Sequence, residues 1–333
     1  MSRVLFIGLG RNAVTHYRCR LPAEALGHDW IGVSPDFEVE TGNVDGIPDI
    51  DQYDTVVCQQ ACGAKWERRI SKLRDKGVRV LYETDDYLHG IRHLIDHGSS
   101  KWFTPAQMKE YDRCMAMCDE VIVSTPFLAE RYRGINPRIT VCRNGIDAER
   151  YAYEKPQRDF VTVGWAGGTG HYSAVRSWLE GGILDALDDH PTAQFLAIGQ
   201  PEVAQLAIER LGDERALGIP WGPFRTYSTA MAGIDVFLAP AGQDKWYRGK
   251  SDLRWLEASA LGQPCICAPY IYPEAELVAS NPAEAADILR TFLQRPGQIA
   301  AAGRVARDAV VPSRSFPLAA EPWRQLLDRP DVR

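Results

Sequence analysis

The chain lacks any apolar run long enough to cross a membrane. Its first such run, residues 4–9, falls far short of the ~20 residues that a helical span needs, and it is too short for a signal-peptide core. It also lacks a disulfide framework. Its eight cysteines have no framework spacing in 333 residues, so they read as reduced thiols of a cytoplasmic protein. Cys58/Cys62 and Cys114/Cys118 are separated by three residues rather than the two usual in zinc pairs, and they read as buried thiols. There is no excess of positive charge: the net charge of −6 argues against a dominant nucleic-acid footprint. No segment is of low complexity. What remains is 45% apolar and 25% charged residues, an ordinary globular composition, in a chain long enough for two domains that each bury a core.

One stretch organises the rest, Lys250-Ser-Asp-Leu-Arg-Trp-Leu-Glu257-Ala-Ser-Ala-Leu-Gly-Gln-Pro264. Leu253, Leu256, Ala260 and Leu261 recur at helical spacing and predict an amphipathic helix over 251–261. Ser251 is the expected N-cap, while Gly262 and Pro264 are placed to end the helix. A short buried strand, 265–268, follows. Lys250 at the helix mouth suits a diphosphate, because exposed N–H groups and the helix dipole both favour anions. Glu257, two turns further in, suits a ribose diol, since a carboxylate accepts two hydroxyl hydrogen bonds. Taken alone, the stretch reads first as an ordinary surface helix with a solvated lysine and glutamate.

Upstream, the strand Val4–Ile7 runs into Gly8-Leu-Gly10-Arg11-Asn-Ala13, a G-x-G-x-x-G/A fingerprint. Read literally, this is the loop of an NAD-dependent oxidoreductase; such loops are also general to doubly wound sheets. Further strands are predicted at 29–33, 54–58, 78–82, 120–124 and 139–142, with Thr-Pro helix starts at 104–105 and 125–126. Asp85 and Asp86 follow the strand 78–82, at the end of the sheet where open α/β folds keep their chemistry. A helix from Lys65 carries Lys65, Arg68, Arg69, Lys72 and Lys76. This is either a solvated face or a surface for an anionic acceptor. His89, His93 and His97 recur every four residues; they read as lining the acceptor side or facing solvent rather than holding a metal. After a linker around 151–158, the pattern restarts with strands at 160–164, 194–199 and 234–240. A glycine-rich turn, Trp165-Ala-Gly167-Gly168-Thr169-Gly170-His171, lets backbone approach a phosphate or sugar.

Glu257-Ala-Ser-Ala-Leu-Gly-Gln-Pro264 resembles the second half of the paired-glutamate motif of GT-B glycosyltransferases, in particular the retaining family 4 group, in its "KSDLxxLE" version. Ile234–Pro240, Trp165–His171, Arg143-Asn-Gly-Ile-Asp147 and the segment from Tyr17 to His28 are similar to other signatures of that group. The chain departs from the motif at Gly249, where the first glutamate, a donor-sugar contact, would stand. The resemblance implies an α/β architecture of two Rossmann-like, doubly wound parallel-sheet domains facing a cleft. An acceptor-side domain over 1–152 and a nucleotide-sugar domain over 153–312 would be followed by a segment, 313–333, that crosses back. It further implies sugar transfer from a nucleotide-diphosphate donor with retention, using neither metal nor cofactor. Asp85, Asp86, His171 and Lys250 would be catalytic. Gly8, Gly10, Arg11, Gly167, Gly168, Thr169, Arg248, Lys250, Ser251, Asp252, Leu253 and Glu257 would bind the donor. The acceptor stays open among a glycan or lipid intermediate, a small metabolite and a hydroxylated DNA base. An NAD-dependent oxidoreductase and a catalytically inactive nucleotide-sugar-binding relative are the alternatives.

Overall fold

Runs of Val, Ile, Leu and aromatic residues without polar alternation are expected where a strand is covered on both faces, and in this chain they build two sheets. The computed structural model describes residues 2–10, 12–33, 39–42, 49–91, 103–153, 158–272 and 274–329. In the first half the strands are β1 (Val4–Leu9), β2 (Asp29–Val33), β3 (Val39–Gly42), β4 (Thr55–Gln59), β5 (Arg79–Thr84), β6 (Glu120–Val123) and β7 (Ile139–Val141). They lie in the order β3-β2-β1-β4-β5-β6-β7. Every pairing is parallel except β2 with β3. The second half contributes β8 (Val161–Ala166), β9 (Ala193–Gly199), β10 (Ala216–Pro220), β11 (Val236–Ala239), β12 (Cys265–Cys267) and β13 (Leu277–Val278). These form a wholly parallel sheet in the order β10-β9-β8-β11-β12-β13. The strand order reverses at β1 in one sheet and at β8 in the other. Such switch points leave a crevice at the carboxyl ends of the strands.

Packing ties the end of the chain to its beginning. Trp323, Leu326 and Leu327 of the helix Glu321–Leu327 are buried against Val4, Phe6 and Trp30 of the first sheet. Behind the organising stretch, the helix Gly297–Arg314 crosses the helix Leu253–Ala260 where only glycine fits. A Cβ on Gly303 would come within 1.9 Å of the Gly262 carbonyl oxygen. Gly262 itself closes the shorter helix in the left-handed region, at φ 67°.

That shorter helix begins at Leu253, two residues later than its spacing predicted, and the expected Ser251 cap is not made. Charge competition explains the difference. Asp252, only 5% exposed, stands at the N-cap position but makes no side-chain cap bond. Its carboxylate instead takes Arg143 at 2.6 Å and Arg314 at 2.9 Å. Two guanidinium groups outbid a neutral backbone N–H for one carboxylate, because charge-assisted hydrogen bonds are the stronger ones. Ser251 Oγ, freed from capping, accepts from Asn144 Nδ2 at 2.8 Å. Alongside, Ile146 N–H donates to the Arg314 carbonyl at 2.8 Å, and Phe316 N–H donates back to Ile146 at 3.1 Å.

All eight cysteines are unpaired thiols, and seven of them are buried. Among the described residues no helix is long and apolar enough to cross a membrane.

Because Asp252 is buried, Asp252→Asn should lower stability by about 3 kcal/mol, the cost of leaving buried or half-buried charge without its partner. Asp185→Asn, which breaks only the exposed pair with Arg210, should cost about 0.5 kcal/mol. Calorimetric unfolding of the two variants would test this. Equal effects would mean that the Asp252 cluster does not hold the two halves together.

Candidate functional site

The carboxyl ends of β5, β8 and β11 meet across the seam and enclose a cavity of ≈ 180 Å³. Asp85 and Asp86 enter it directly after β5. His171 comes from the turn after β8, and Lys250, Ser251, Leu253 and Arg254 come from the start of the helix Leu253–Ala260. Asp85, Asp86, His171 and Lys250, scattered over 166 positions of sequence, therefore share one space. Lys250 is not a free cation: its Nζ lies 2.6 Å from Asp86 Oδ1 and 4.2 Å from the centre of the Trp246 ring. His171 packs against Trp246 and Tyr247, with ring centres 4.9 and 5.3 Å away.

Asp85 sits among negative charge. Burial, then the neighbouring Asp86 and Glu83 carboxylates, push its pKa up to about 7, although Lys250 and Arg18 pull the other way. Glu83 is itself buried, and its pKa is raised by that burial despite Arg18 at 2.7 Å and Gln59 Nε2 at 3.0 Å. Arg18 also donates to the Cys142 carbonyl at 2.6 Å and to Asn144 Oδ1 at 2.9 Å. It thereby braces the floor of the site against the segment that closes the first half.

Glu257 departs most from expectation. Instead of facing open space it is 3% exposed. Its Oε1 accepts from Tyr17 at 2.8 Å and from Tyr151 at 2.9 Å, and its Oε2 lies 3.4 Å from the Tyr227 hydroxyl. The Tyr17 and Tyr151 oxygens are themselves 2.6 Å apart. Burial raises the Glu257 pKa, although hydrogen bonds from Tyr17, Tyr151 and Tyr227 pull the other way. Glu257, the expected ribose acceptor, is thus held by hydroxyls from both halves.

The remaining expected residues divide. Gly10, with φ 80°, lines a second and larger cavity beside the end of β1, and Gly8 lies within that strand. Arg11 lies outside the described residues, as do His93 and His97. Gly168 has open space where a Cβ would project, whereas a Cβ on Gly167 would strike Trp165 and Arg254. Thr169 begins the short helical turn Thr169–His171. Among the expected donor-binding residues, Asp252 pairs with Arg143 and Arg314, and Arg248 is exposed and stacked at 5.2 Å on Phe127 of the first half; neither lines the cavity. Arg254, on the first turn of the helix Leu253–Ala260, lines the cavity with Lys250. The tyrosines around Glu257 carried no shared signal in the sequence, because they come from three separate segments. His89 pairs with Asp112 at 3.0 Å, and among the described residues no cluster of three His, Cys, Asp or Glu side chains could hold a metal ion.

No protein-family model matches the chain, and no curated protein matches it. Solved structures do. Anabaena HepE, in complex with UDP and glucose, superposes with a TM-score of 0.65 at 12% identity, covering 98% of this chain and 99% of that one. A sucrose-phosphate synthase from Thermosynechococcus elongatus gives 0.67 at 14% identity, covering 98% of each chain. A proposed UDP-N-acetylglucosamine 2-epimerase from Listeria monocytogenes gives 0.57 at 12% identity, covering 98% of this chain and 94% of that one. At such identities the likeness is one of fold. The chain has the GT-B fold, two Rossmann-like parallel-sheet domains facing a cleft, as the resemblance implied.

Proposed function

We propose that this chain is a glycosyltransferase that moves a sugar from a nucleoside-diphosphate donor to an acceptor hydroxyl, with retention and without a metal. The observation that carries the reading is the meeting of Lys250 and His171 of the second half with Asp85 and Asp86 of the first on one cavity. The fold supports it, since HepE holds UDP-glucose in that architecture. In this reading Lys250 and Arg254 face the departing diphosphate, together with the N–H groups that open the helix at Leu253. The glycine-rich turn from Gly167 to Thr169 gives backbone access to the phosphates, and Asp85, Asp86 and His171 orient the sugar or the acceptor. Glu257 holds the ribose after exchanging its tyrosine partners for the diol. Lys250 likewise exchanges Asp86 for phosphate oxygens. Lys65, Arg68, Arg69, Lys72 and Lys76, on and just after the helix Ala64–Asp75, give the first half an exposed basic face suited to an anionic acceptor. A location in the cytoplasm fits the eight unpaired thiols.

Only a ligand of the native state raises its melting temperature. One or more of UDP, GDP and ADP should therefore stabilise the chain, equally with and without EDTA, and NADH should not. Stabilisation by NADH alone would favour an oxidoreductase built on Gly8–Ala13.

Lys250 meets charge that grows as the glycosidic bond breaks, so Lys250→Ala should chiefly lower kcat, by about 10²–10³-fold. The ribose is unchanged in the reaction, so Glu257→Gln should raise KM more than it lowers kcat. Donor affinity untouched by Glu257→Gln would remove the nucleotide from this helix.

Asp85 gives a pH dependence. Its folded pKa, about 7, lies above the ordinary aspartate value of 3.8. Between these values the unfolded chain has lost the proton that the folded chain keeps, so stability falls as pH rises through that window and levels off above it. Asp85→Asn should flatten this slope and leave the chain more stable at pH 7. An unchanged slope in melting temperature between pH 4.5 and 8 would show that Asp85 ionises normally.

A further inference from the structure

The site described so far leaves unused the larger cavity, ≈ 530 Å³, beside the loop at the end of β1. This is a volume in the range of small-molecule sites. Three arginines reach it from three separate segments: Arg20 from the first half, Arg150 from the connecting segment and Arg225 from the second half. Among the described residues one carboxylate pairs with them, Glu24, at 2.9 Å from Arg20 Nε and itself half exposed. Arg150 is held rigidly. Its guanidinium lies 4.1 Å over the Phe224 ring and donates to the Phe224 carbonyl, while its buried Nε has no partner. His16 lines the same space, is 6% exposed, and has a buried Nε2 with no hydrogen-bond partner. Burial, and then the charges of Arg150 and Arg20, lower its pKa to about 3, so its ring stays neutral. A neutral histidine beside three arginines and, among the described residues, one half-exposed carboxylate suits an anion. Trp30 and Phe224 supply apolar wall beside it.

We propose that this cavity anchors the phosphate ester of the acceptor, making the acceptor a phosphorylated compound. Arginine forks match phosphate oxygens in geometry as well as charge. The anchor also lies in register with the chemistry. Val14 faces the smaller cavity, while Thr15 and His16, the next two residues, face the larger one. An acceptor held by its phosphate would thus present the remainder of the molecule toward Asp85, Asp86 and Lys250. This inference rests on the transferase reading, and its test separates the two.

Calorimetric titration of the full chain with inorganic phosphate and with a hexose 6-phosphate, in saturating UDP, reads the anchor with the donor place filled. Both ligands should bind, the ester more tightly. Arg225→Ala and Arg20→Ala, surface changes that leave the core intact, should each weaken binding about tenfold, and Lys250→Ala should not. Co-sedimentation with phosphatidic acid vesicles, against phosphatidylcholine alone, distinguishes a lipid phosphate from a soluble one. Vesicle binding lost in Arg225→Ala, without hexose 6-phosphate binding, would assign the anchor to a lipid acceptor. Phosphate binding that UDP abolishes, or that survives both arginine changes, would overturn the proposal by placing the anion in the donor site. Silence from every phosphate probe while UDP still stabilises the chain would overturn the anchor alone. Failure of UDP itself to bind, with phosphate titrations repeated in its absence and still sensitive to Arg225, would instead remove the donor reading.

Discussion

A carboxylate cannot stay ionised inside a protein without donors, and Asp252 finds its donors on both sides of the seam. Arg143 comes from the segment that closes the first half, and Arg314 from the end of the helix that returns toward it. Glu274 extends the cluster, at 2.6 Å from Arg143 and 3.2 Å from Arg314. The cluster fixes the start of the helix Leu253–Ala260 against the first half. That start carries Lys250, Ser251, Leu253 and Arg254 to the cavity, so the geometry of the site depends on a charge that never enters it. Asp252, expected among the donor-binding residues, pairs with Arg143 and Arg314 and does not line the cavity.

The same rule governs the cleft itself. Glu257 and Lys250, two of the groups expected to meet the donor, are each satisfied across the seam: Glu257 by Tyr17 and Tyr151, Lys250 by Asp86. The two contacts differ in what a ligand must overcome. Lys250 and Asp86 are each about one-fifth exposed, so water screens their attraction and a diphosphate can compete for the lysine. Glu257 is enclosed, and its hydroxyl donors must be replaced by others of equal number if the buried carboxyl group is not to be left unsatisfied. In the proposed reading a vicinal diol would take the places of Tyr17 and Tyr151 on Oε1, while Tyr227, at 3.4 Å from Oε2, could stay.

Sequence made the sheets legible, because strands buried on both faces are written as unbroken apolar runs. Val4–Ile7, Val56–Cys58 and Val80–Tyr82 leave no other reading. It also made legible the residues at strand ends, such as Asp85 and His171, since position in a doubly wound sheet is itself information. What it hid were contacts made by residues distant in the chain. Tyr17, Tyr151 and Tyr227 carry no common spacing, and nothing in Arg20, Arg150 and Arg225 announces that they share a cavity. The start of the organising helix was misplaced for a related reason. Capping preference is local, whereas the pull of Arg143 and Arg314 on Asp252 is tertiary. β3, β10 and β13, all at sheet edges, escaped because their sequences hold no unbroken run of branched or aromatic apolar residues.

Gly249 stands where the resemblance would place a glutamate, and the same seam gives a physical reason for the glycine. Gly249 holds an ordinary backbone conformation, φ −81°, so space rather than flexibility explains its identity. A Cβ at that position would lie 2.7 Å from the Tyr87 Cβ and 3.3 Å from Leu128, both of the first half. Gly90 answers from the other side, where a Cβ would come within 3.0 Å of the Trp246 Cβ. Two glycines thus let the turn after Asp86 pack directly on the helix Lys245–Arg248. That contact brings Asp86 within reach of Lys250. A glutamate at 249 would hold the two halves apart and separate the pair. In this chain the carboxylates next to Lys250 come from the first half, at Asp85 and Asp86, and the glycine at 249 is the condition for their being there.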